Sequence, residues 1–202
     1  MSTLTRAPFD LPAAFLQRVE RRYGVPPRAY HSWRHIKATL GHFETVAAGP
    51  GWKQPLEVAL AVLFHDVVYD AARKDNEAKS AIAARVAITE ELAGRVIDHT
   101  RVTDLIEMTA RHGSVTTQDL DAAHFLDCDM AVLGAPNEEF DAYDRGVAEE
   151  YAPHVNAMLY RFGRRRFLTK LLEADRIYLS DFFHQRLDLQ ARANLRRALG
   201  RE

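Results

Sequence analysis

The sequence lacks the features of secreted and membrane proteins. It contains a single cysteine, Cys128, in 202 residues, which excludes an intramolecular disulfide. The first ten residues, MSTLTRAPFD, include no apolar segment like that of a signal peptide. No stretch reaches the roughly 18 consecutive apolar residues that a membrane-spanning helix needs. We therefore expect a soluble, cytoplasmic protein with no membrane partner.

The sequence also has no large excess of positive or negative charge. The chain has 27 Lys and Arg against 28 Asp and Glu, for a formal net charge of −1. Proteins that bind nucleic acid or anionic lipid through broad electrostatic attraction usually carry a large positive charge. We therefore expect small molecules or proteins as partners rather than nucleic acid, and a homodimer is compatible with this composition.

Strand-like alternation, internal repeats and long linkers are absent, whereas apolar residues recur at helical spacing. Together with 47% hydrophobic residues, this periodicity predicts an all-α fold in one domain over residues 1–202. The central motifs lie at about 30–135, and the C-terminal helices are expected to pack on that core. Asp75, Thr103 and Asn137 are candidate N-caps. Helices are predicted over residues 11–23, 31–48, 76–92, 103–111, 117–133, 137–151, 155–172 and 187–199.

The segment LEVALAVLFHDVVYD, residues 56–70, is the most apolar part of the chain. It has no polar stripe at helical spacing, so we predict a helix or strand that is buried on nearly all sides. His65 and Asp66 lie side by side within it. A buried carboxylate is costly unless it is paired, hydrogen-bonded or bound to a cation. Either a metal ion or neighbouring protein groups can offset that cost.

His31 and His35 are four residues apart, so on a helix both can point from one face, as some pairs of metal ligands do. The zinc-protease pattern HExxH would need a glutamate at position 32, where the chain has Ser32. That protease chemistry is therefore not supported. Alternatively, His31 lies in the first turn and only His35 faces inward.

The second apolar segment with acidic residues is FLDCDMAVLG, residues 125–134. It contains Asp127 and Asp129, which resemble buried carboxylates that need a partner. One of the two can instead face solvent. His112 precedes this segment and ends a predicted helix.

Taken in order, these residues resemble the HD superfamily of metal-dependent phosphohydrolases. The family pattern is a histidine, a His-Asp pair and a distant aspartate, which here match His35, His65, Asp66 and Asp129. The resemblance implies a helical bundle with a metal ion held between helices. It is closest to a bacterial subgroup of predicted HD hydrolases and covers most of the chain. The shared motifs are YHSWRHI, FHDVVYD, RKDNEAKSA, LDCDMAVLG, GRRRFLTKLL and ARANLRRAL.

The implied ligand set has two imidazoles and two carboxylates. Such a mixed set suits manganese, iron, cobalt, nickel or zinc, and magnesium less well. A divalent ion with four protein ligands keeps open positions for a water and a phosphate oxygen. The resemblance gives Asp66 two roles, as a metal ligand and as the residue that orients the attacking water. His31 and His112 are candidates for outer ligands, supporting hydrogen bonds or phosphate contacts.

The RKDNEAKS run, residues 73–80, adds further candidates. Arg73 or Lys74 can bind a substrate phosphate, and Glu77 can act as a general acid or base. Asn76 and Ser80 can donate hydrogen bonds to substrate. The alternative interpretation of the run is the solvated, N-capped start of a helix.

Two departures limit the analogy within the superfamily. The lysine of the HDxGK pattern is absent, since Tyr69 and Asp70 occupy that region, and no GYP tripeptide occurs. A cyclic-di-GMP phosphodiesterase is therefore disfavoured, and no alarmone-synthetase domain is present. The basic run RFGRRR, residues 161–166, can be a nucleic-acid or phosphate patch, but such a run is more often a solvated helix face. If it folds back near the ion, it can instead recruit an anionic substrate.

The sequence thus predicts a metal-dependent phosphohydrolase that acts on a small phosphorylated metabolite, a nucleotide or a related phosphate ester. Its cofactor would be a divalent metal ion. A degenerate HD domain that senses metal or nucleotide without turnover is the first alternative. A structural helical scaffold is the second, and it requires the ordered motifs to be coincidental.

Overall fold

A computed structural model describes residues 11–200 of the protein. In this part of the chain all regular secondary structure is helical, which confirms the predicted all-α class. A short 3₁₀ helix, Ala131–Gly134, follows the sixth α-helix. The α-helices are α1 Ala13–Arg22, α2 Trp33–Ala48, α3 Pro55–Phe64, α4 Asn76–Glu91, α5 His99–Thr109, α6 Leu120–Met130, α7 Asn137–Tyr151, α8 Ala157–Glu173 and α9 Asp181–Ala198.

Three helices begin three or more residues from their predicted starts, because unforeseen side chains cap them. Asp98 accepts a hydrogen bond from the Arg101 amide and starts α5 four residues before Thr103, which was therefore the wrong cap. Asp119 caps α6 in the same way, so this helix begins after residue 117. Ser180 caps α9, which starts at 181 rather than 187.

Two other predicted caps make no capping hydrogen bond. Asn137 is the first residue of α7, and Pro136 occupies the N-cap position. Asp75 does precede α4, but no amide donates to its carboxylate. That carboxylate pairs instead with Arg73 and Lys79 on the protein surface.

Helix α3 forms the centre of the larger of two apolar clusters. Its residues 58–64 are all buried, as the absence of a polar stripe predicts. The helix nevertheless ends at Phe64, before the end of the apolar segment. His65 and Asp66 therefore lie in the turn that follows α3. This turn places both side chains beside His35 of α2.

The core consists of two clusters that meet near α6. The first gathers buried side chains of α1 to α6, and the second gathers those of α6 to α9 together with Val46 of α2. Trp52 packs against both clusters. No helix within residues 11–200 is long and apolar enough to cross a membrane.

The 3₁₀ helix packs so closely on α9 that it tolerates no side chain at Gly134. A Cβ atom there would lie 2.7 Å from Leu187 Cβ, 2.8 Å from the Leu187 carbonyl oxygen and 2.9 Å from Tyr178 Oη. At Gly41, inside α2, an added Cβ would meet nothing within 4 Å. The two glycines therefore form a matched pair for mutation.

We predict opposite effects of alanine at these two positions. Gly134→Ala should lower the free energy of unfolding by about 1–3 kcal/mol, because the backbone of α9 must shift. Gly41→Ala should raise it by up to about 1 kcal/mol, because alanine is the better helix former. Urea denaturation of both variants measures the difference. Equal stability of the two variants would contradict the close packing of the 3₁₀ helix on α9.

Candidate metal centre

His35, His65 and Asp66 converge from helix α2 and from the turn that follows α3. His35 lies on the buried face of α2, and His65 and Asp66 follow the C-terminus of α3. The two imidazole Nε2 atoms are 3.1 Å apart. Asp66 Oδ2 lies 3.2 Å from His65 Nε2 and 3.5 Å from His35 Nε2. One donor atom from each of the three residues therefore lies within 4.8 Å of the others, close enough to share one ion.

Asp129, near the end of α6, adds a second carboxylate. Its Oδ1 lies 2.9 Å from His35 Nε2 and 3.3 Å from His65 Nε2. The other oxygen, Oδ2, lies 2.7 Å from Nε2 of His112, in the turn after α5. Asp129 is outside the tight trio of His35, His65 and Asp66 but contacts both of its imidazoles.

The orientation of His65 determines which nitrogen faces this group. Its Nδ1 lies 3.0 Å from the carbonyl oxygen of Val62. Because a carbonyl only accepts hydrogen bonds, Nδ1 carries a proton and donates it. In the neutral imidazole, Nε2 then has the free lone pair, which is the form that binds a metal.

The ionisation of His65 and that of the carboxyl groups of Asp66 and Asp129 depend on one another. Burial lowers the pKa of the His65 imidazole, but the carboxylates of Asp66 and Asp129 outweigh burial and raise it well above its ordinary value. Burial raises the pKa of both carboxyl groups, but the neighbouring histidines, His65 foremost, lower it. The carboxylates are thus ionised and attract positive charge, which either protons or a cation can supply.

The chemistry of these donors fits a divalent transition metal. Two imidazole nitrogens and two carboxylates form a borderline set that suits manganese, iron, cobalt, nickel or zinc. A thiolate ligand would favour softer metals, but burial raises the pKa of the Cys128 thiol well above its ordinary value. Within residues 11–200, the trio is the one such cluster of three or more potential ligands.

Arg28 holds the turn that carries Asp66. Its guanidinium donates to the carbonyl oxygens of Asp66, at 2.6 Å, and of Val67, at 3.2 Å. It also donates to the His31 carbonyl oxygen at 3.1 Å. Arg28 therefore ties the segment before α2 to the turn after α3 and fixes the approach of the two chain segments.

Two predicted substrate contacts, Asn76 and Ser80, hold the same turn from α4. The Asn76 amide exchanges two hydrogen bonds with the backbone of Asp70. Ser80 Oγ does the same with the backbone of Val68. Arg73 lies on the surface, where its side chain pairs with Asp75. The polar groups of these side chains are thus engaged within the protein.

His31 precedes α2, so the predicted pair of histidines on one helix face does not form. Its ring nevertheless points toward the same region, because Glu150 of α7 holds it. Glu150 accepts hydrogen bonds from the backbone amides of Tyr30 and His31, and Oε2 lies 2.6 Å from His31 Nδ1. The His31 ring stacks on Tyr69 with 4.0 Å between the ring centres.

A cavity of about 590 Å³ opens beside these groups. Asp66 and Asp129 line it together with His31, His112 and Glu77. The lining also includes four aromatic side chains of α7 and α8: Tyr143, Tyr151, Tyr160 and Phe167. Two carboxylates of the candidate metal centre can therefore reach a ligand of small-metabolite size.

Asp127 points away from the centre. Its carboxylate accepts hydrogen bonds from the amides of Leu179 and Ser180, both at 2.7 Å, and from Ser180 Oγ at 2.6 Å. Of the two acids in the LDCDMAVLG motif, Asp129 therefore faces the histidines and Asp127 anchors the start of α9. Burial raises the pKa of Asp127 to about 6 against these three donors, so the group is ionised at neutral pH.

Arg28 and Glu150 were missed in the sequence. Arg28 follows a proline pair, and Glu150 lies in a polar helix, a context typical of solvated charges. Their partners are 38 and 119 residues away along the chain, so no local spacing indicates them.

Comparisons with known proteins give no further guidance. No family model, no curated protein and no solved structure matches the chain. What the centre can bind therefore follows from its own geometry.

We predict that Asp127→Asn destabilises the fold. An amide has one acceptor oxygen, so its NH₂ group would face at least one of the three donors that now meet the carboxylate. The free energy of unfolding should fall by about 1–3 kcal/mol at pH 7.5. Asp181→Asn, in an exposed ion pair with Arg176, should change it by less than about 1 kcal/mol. Equal losses in the two variants, measured by urea denaturation, would rule out the anchoring role of Asp127.

Proposed function

We propose that the protein is a metal-dependent phosphohydrolase that acts on a small phosphorylated metabolite, a nucleotide or a related phosphate ester. The observation that carries the proposal is the convergence of four side chains. The carboxylates of Asp66 and Asp129 each have an oxygen within 3.5 Å of Nε2 of both His35 and His65. The hydrogen bond from His65 Nδ1 to Val62 supports metal binding through Nε2. The resemblance to HD phosphohydrolases adds the reaction class. We place the protein in the cytoplasm, where such metabolites occur.

In this proposal His35, His65, Asp66 and Asp129 hold a divalent ion: manganese, iron, cobalt, nickel, zinc or magnesium. When bound, the ion polarises a phosphoryl oxygen and makes a water more acidic. His112 supports the site by orienting Asp129, to which its Nε2 is hydrogen-bonded at 2.7 Å. His31, held by Glu150, faces the cavity where a phosphate would lie.

Two carboxylates carry the proton transfers. Asp66 orients and deprotonates the attacking water, since it lies both in the trio and on the cavity wall. Glu77 lines the same cavity and serves as general acid or base for the leaving group. Asn76 and Ser80 act by holding the turn that presents Asp66, rather than by contacting substrate.

The first prediction of the proposal concerns metal content. Protein purified after growth with added transition metal should hold close to one equivalent per chain, and His65→Ala should lose it. Asp129→Asn should also lose most of the ion, because the residue contacts both imidazoles. Elemental analysis measures the content.

Two controls make this measurement specific. Asp127→Asn should retain the ion, because its carboxylate faces α9. His154→Ala should also retain it, because His154 is exposed and lies 4.0 Å from Asp70, outside the centre. A wild-type protein that neither contains nor takes up metal would remove the basis of the proposal.

The second prediction separates an enzyme from a sensor. Asp66→Asn should reduce kcat on a phosphate ester by about 100-fold or more, because the amide cannot accept a proton from water. The fall in kcat should be larger than the fall in the metal content of the same variant. Asp70→Asn, whose side chain is half exposed, should leave kcat unchanged. A panel of nucleotides and generic phosphoesters provides the substrates. If metal-loaded wild type hydrolyses none of them but binds a nucleotide, the sensor interpretation replaces the hydrolase.

A further inference from the structure

The cavity beside the candidate metal centre has few positive groups. Of the basic residues in the RFGRRR run, Arg164 lines it, whereas the other three arginines are exposed and lie outside the lining. Within residues 11–200, Arg164 is the only lysine or arginine in the lining. Its Nε donates to Asp144 Oδ1 at 2.8 Å, so its charge is already paired.

The two histidines in the lining are matched by carboxylates as well. His31 Nδ1 lies 2.6 Å from Glu150 Oε2, and His112 Nε2 lies 2.7 Å from Asp129 Oδ2. Positive charge on either ring is therefore balanced by its own partner within the protein.

Negative charge, by contrast, is left over. Asp66, Asp129 and Glu77 all line the cavity. A divalent ion would balance Asp66 and Asp129, but no basic side chain of residues 11–200 forms an ion pair with Glu77. A second acidic group on a ligand would therefore lie in a cavity that has an unpaired carboxylate and no free cation. The cavity suits a ligand whose one anionic group lies at the metal centre.

Four aromatic side chains of α7 and α8 provide apolar surface in the same cavity. Tyr143, Tyr151, Tyr160 and Phe167 line it, and each keeps part of its surface exposed. The ring centres of Tyr151 and Tyr160 are 5.6 Å apart, which joins the two helices. Leu159, also in the lining, is 57% exposed, so this apolar surface continues to the solvent. A flat apolar group that covers such rings gains both burial and ring contacts.

A series of ring contacts links this surface to the metal centre. The Tyr143 ring centre lies 4.7 Å from that of Tyr30, and the Tyr30 ring lies 4.9 Å from that of His35. Tyr30 lines the cavity too. An ester whose phosphoryl group lies at the centre therefore has its organic part beside aromatic side chains.

We propose that the cavity selects phosphate esters with a single acidic group and an uncharged aromatic body, and that Phe167 contacts this body as a specificity-determining residue. Such substrates are monoesters of planar, ring-bearing alcohols rather than bisphosphates, nucleoside triphosphates or phosphorylated carboxylic acids. The word substrate rests on the proposed hydrolase function, whereas the preference in binding does not.

Binding of phosphonates tests the preference without turnover, because their C–P bond is not hydrolysed. By calorimetry, metal-loaded wild type should bind phenylphosphonate about tenfold more tightly than methylphosphonate. Phe167→Leu should reduce that ratio about threefold or more, because leucine fills the space but lacks a ring face. Phe162→Leu is the matched control and should keep the ratio, because Phe162 lies on the same helix, 67% exposed and outside the lining.

Two further variants separate the role of the ring from an effect on folding. Phe167→Tyr keeps the ring and should keep the wild-type ratio. Tyr160→Leu should reduce the ratio as Phe167→Leu does, and the Tyr160 hydroxyl has no hydrogen-bond partner, so its removal leaves no other group unpaired. Melting temperatures check the fold of each variant.

The aromatic preference is refuted if wild type binds phenylphosphonate no more tightly than methylphosphonate, including the case in which neither binds. It is also refuted if the folded Phe167→Leu and Tyr160→Leu variants both keep the wild-type ratio.

Charge selectivity is measured with 4-phosphonobenzoate, which adds a carboxylate to phenylphosphonate. Wild type should bind it about tenfold less tightly, and Glu77→Gln should reduce this difference about threefold or more, because it removes the unpaired negative charge. Glu149→Gln, an exposed acid of α7 outside the lining, should leave the difference unchanged. Equal binding of the two phosphonates by wild type would refute selection for a single acidic group.

Turnover separates this inference from the hydrolase proposal. Phe167→Leu should raise KM for phenyl phosphate about threefold or more and leave KM for methyl phosphate unchanged. A protein that shows the phosphonate preferences but hydrolyses no ester keeps the selectivity of the cavity and loses the hydrolase. A protein that hydrolyses esters but binds phenylphosphonate and methylphosphonate equally keeps the hydrolase and loses this inference.

Discussion

Two imidazoles and two carboxylates packed together in a largely buried space are the constraint on which the rest of the structure depends. His35 and His65 are almost fully buried, and a group of this kind is stable only if positive charge neutralises its acids. Hydrogen bonds from two directions hold the turn that carries Asp66. Arg28 binds the backbone of the Asp66 turn from one side, and Ser80 binds it from the other. These restraints keep the Asp66 carboxylate beside the two imidazoles.

The two sides of this group differ in ways that bear on function. Toward α3, apolar side chains exclude water and strengthen electrostatic interactions. Toward α7 and α8, a cavity of about 590 Å³ gives a ligand access to Asp66 and Asp129.

Helical periodicity made most of the fold predictable, because each helix buries an apolar stripe that recurs every three or four residues. Helix starts were less predictable, since Asp98 and Asp119 resemble ordinary surface acids until their amide partners are known. The ordered motifs indicated which histidines and acids would meet, and Asp129 rather than Asp127 does face the histidines. Glu150 could not be foreseen, because its contacts join residues more than a hundred positions apart.

The central claim is that the four convergent side chains bind one divalent ion, and anomalous diffraction tests it most directly. Crystals of the protein loaded with zinc or manganese should show a single strong peak at the centre. This peak should lie about 2.0–2.2 Å from Nε2 of His35 and His65 and from the nearest carboxylate oxygens. Saturated crystals with no peak there, and with the imidazoles hydrogen-bonded directly to Asp66 and Asp129, would contradict the claim and show that protons alone neutralise the group.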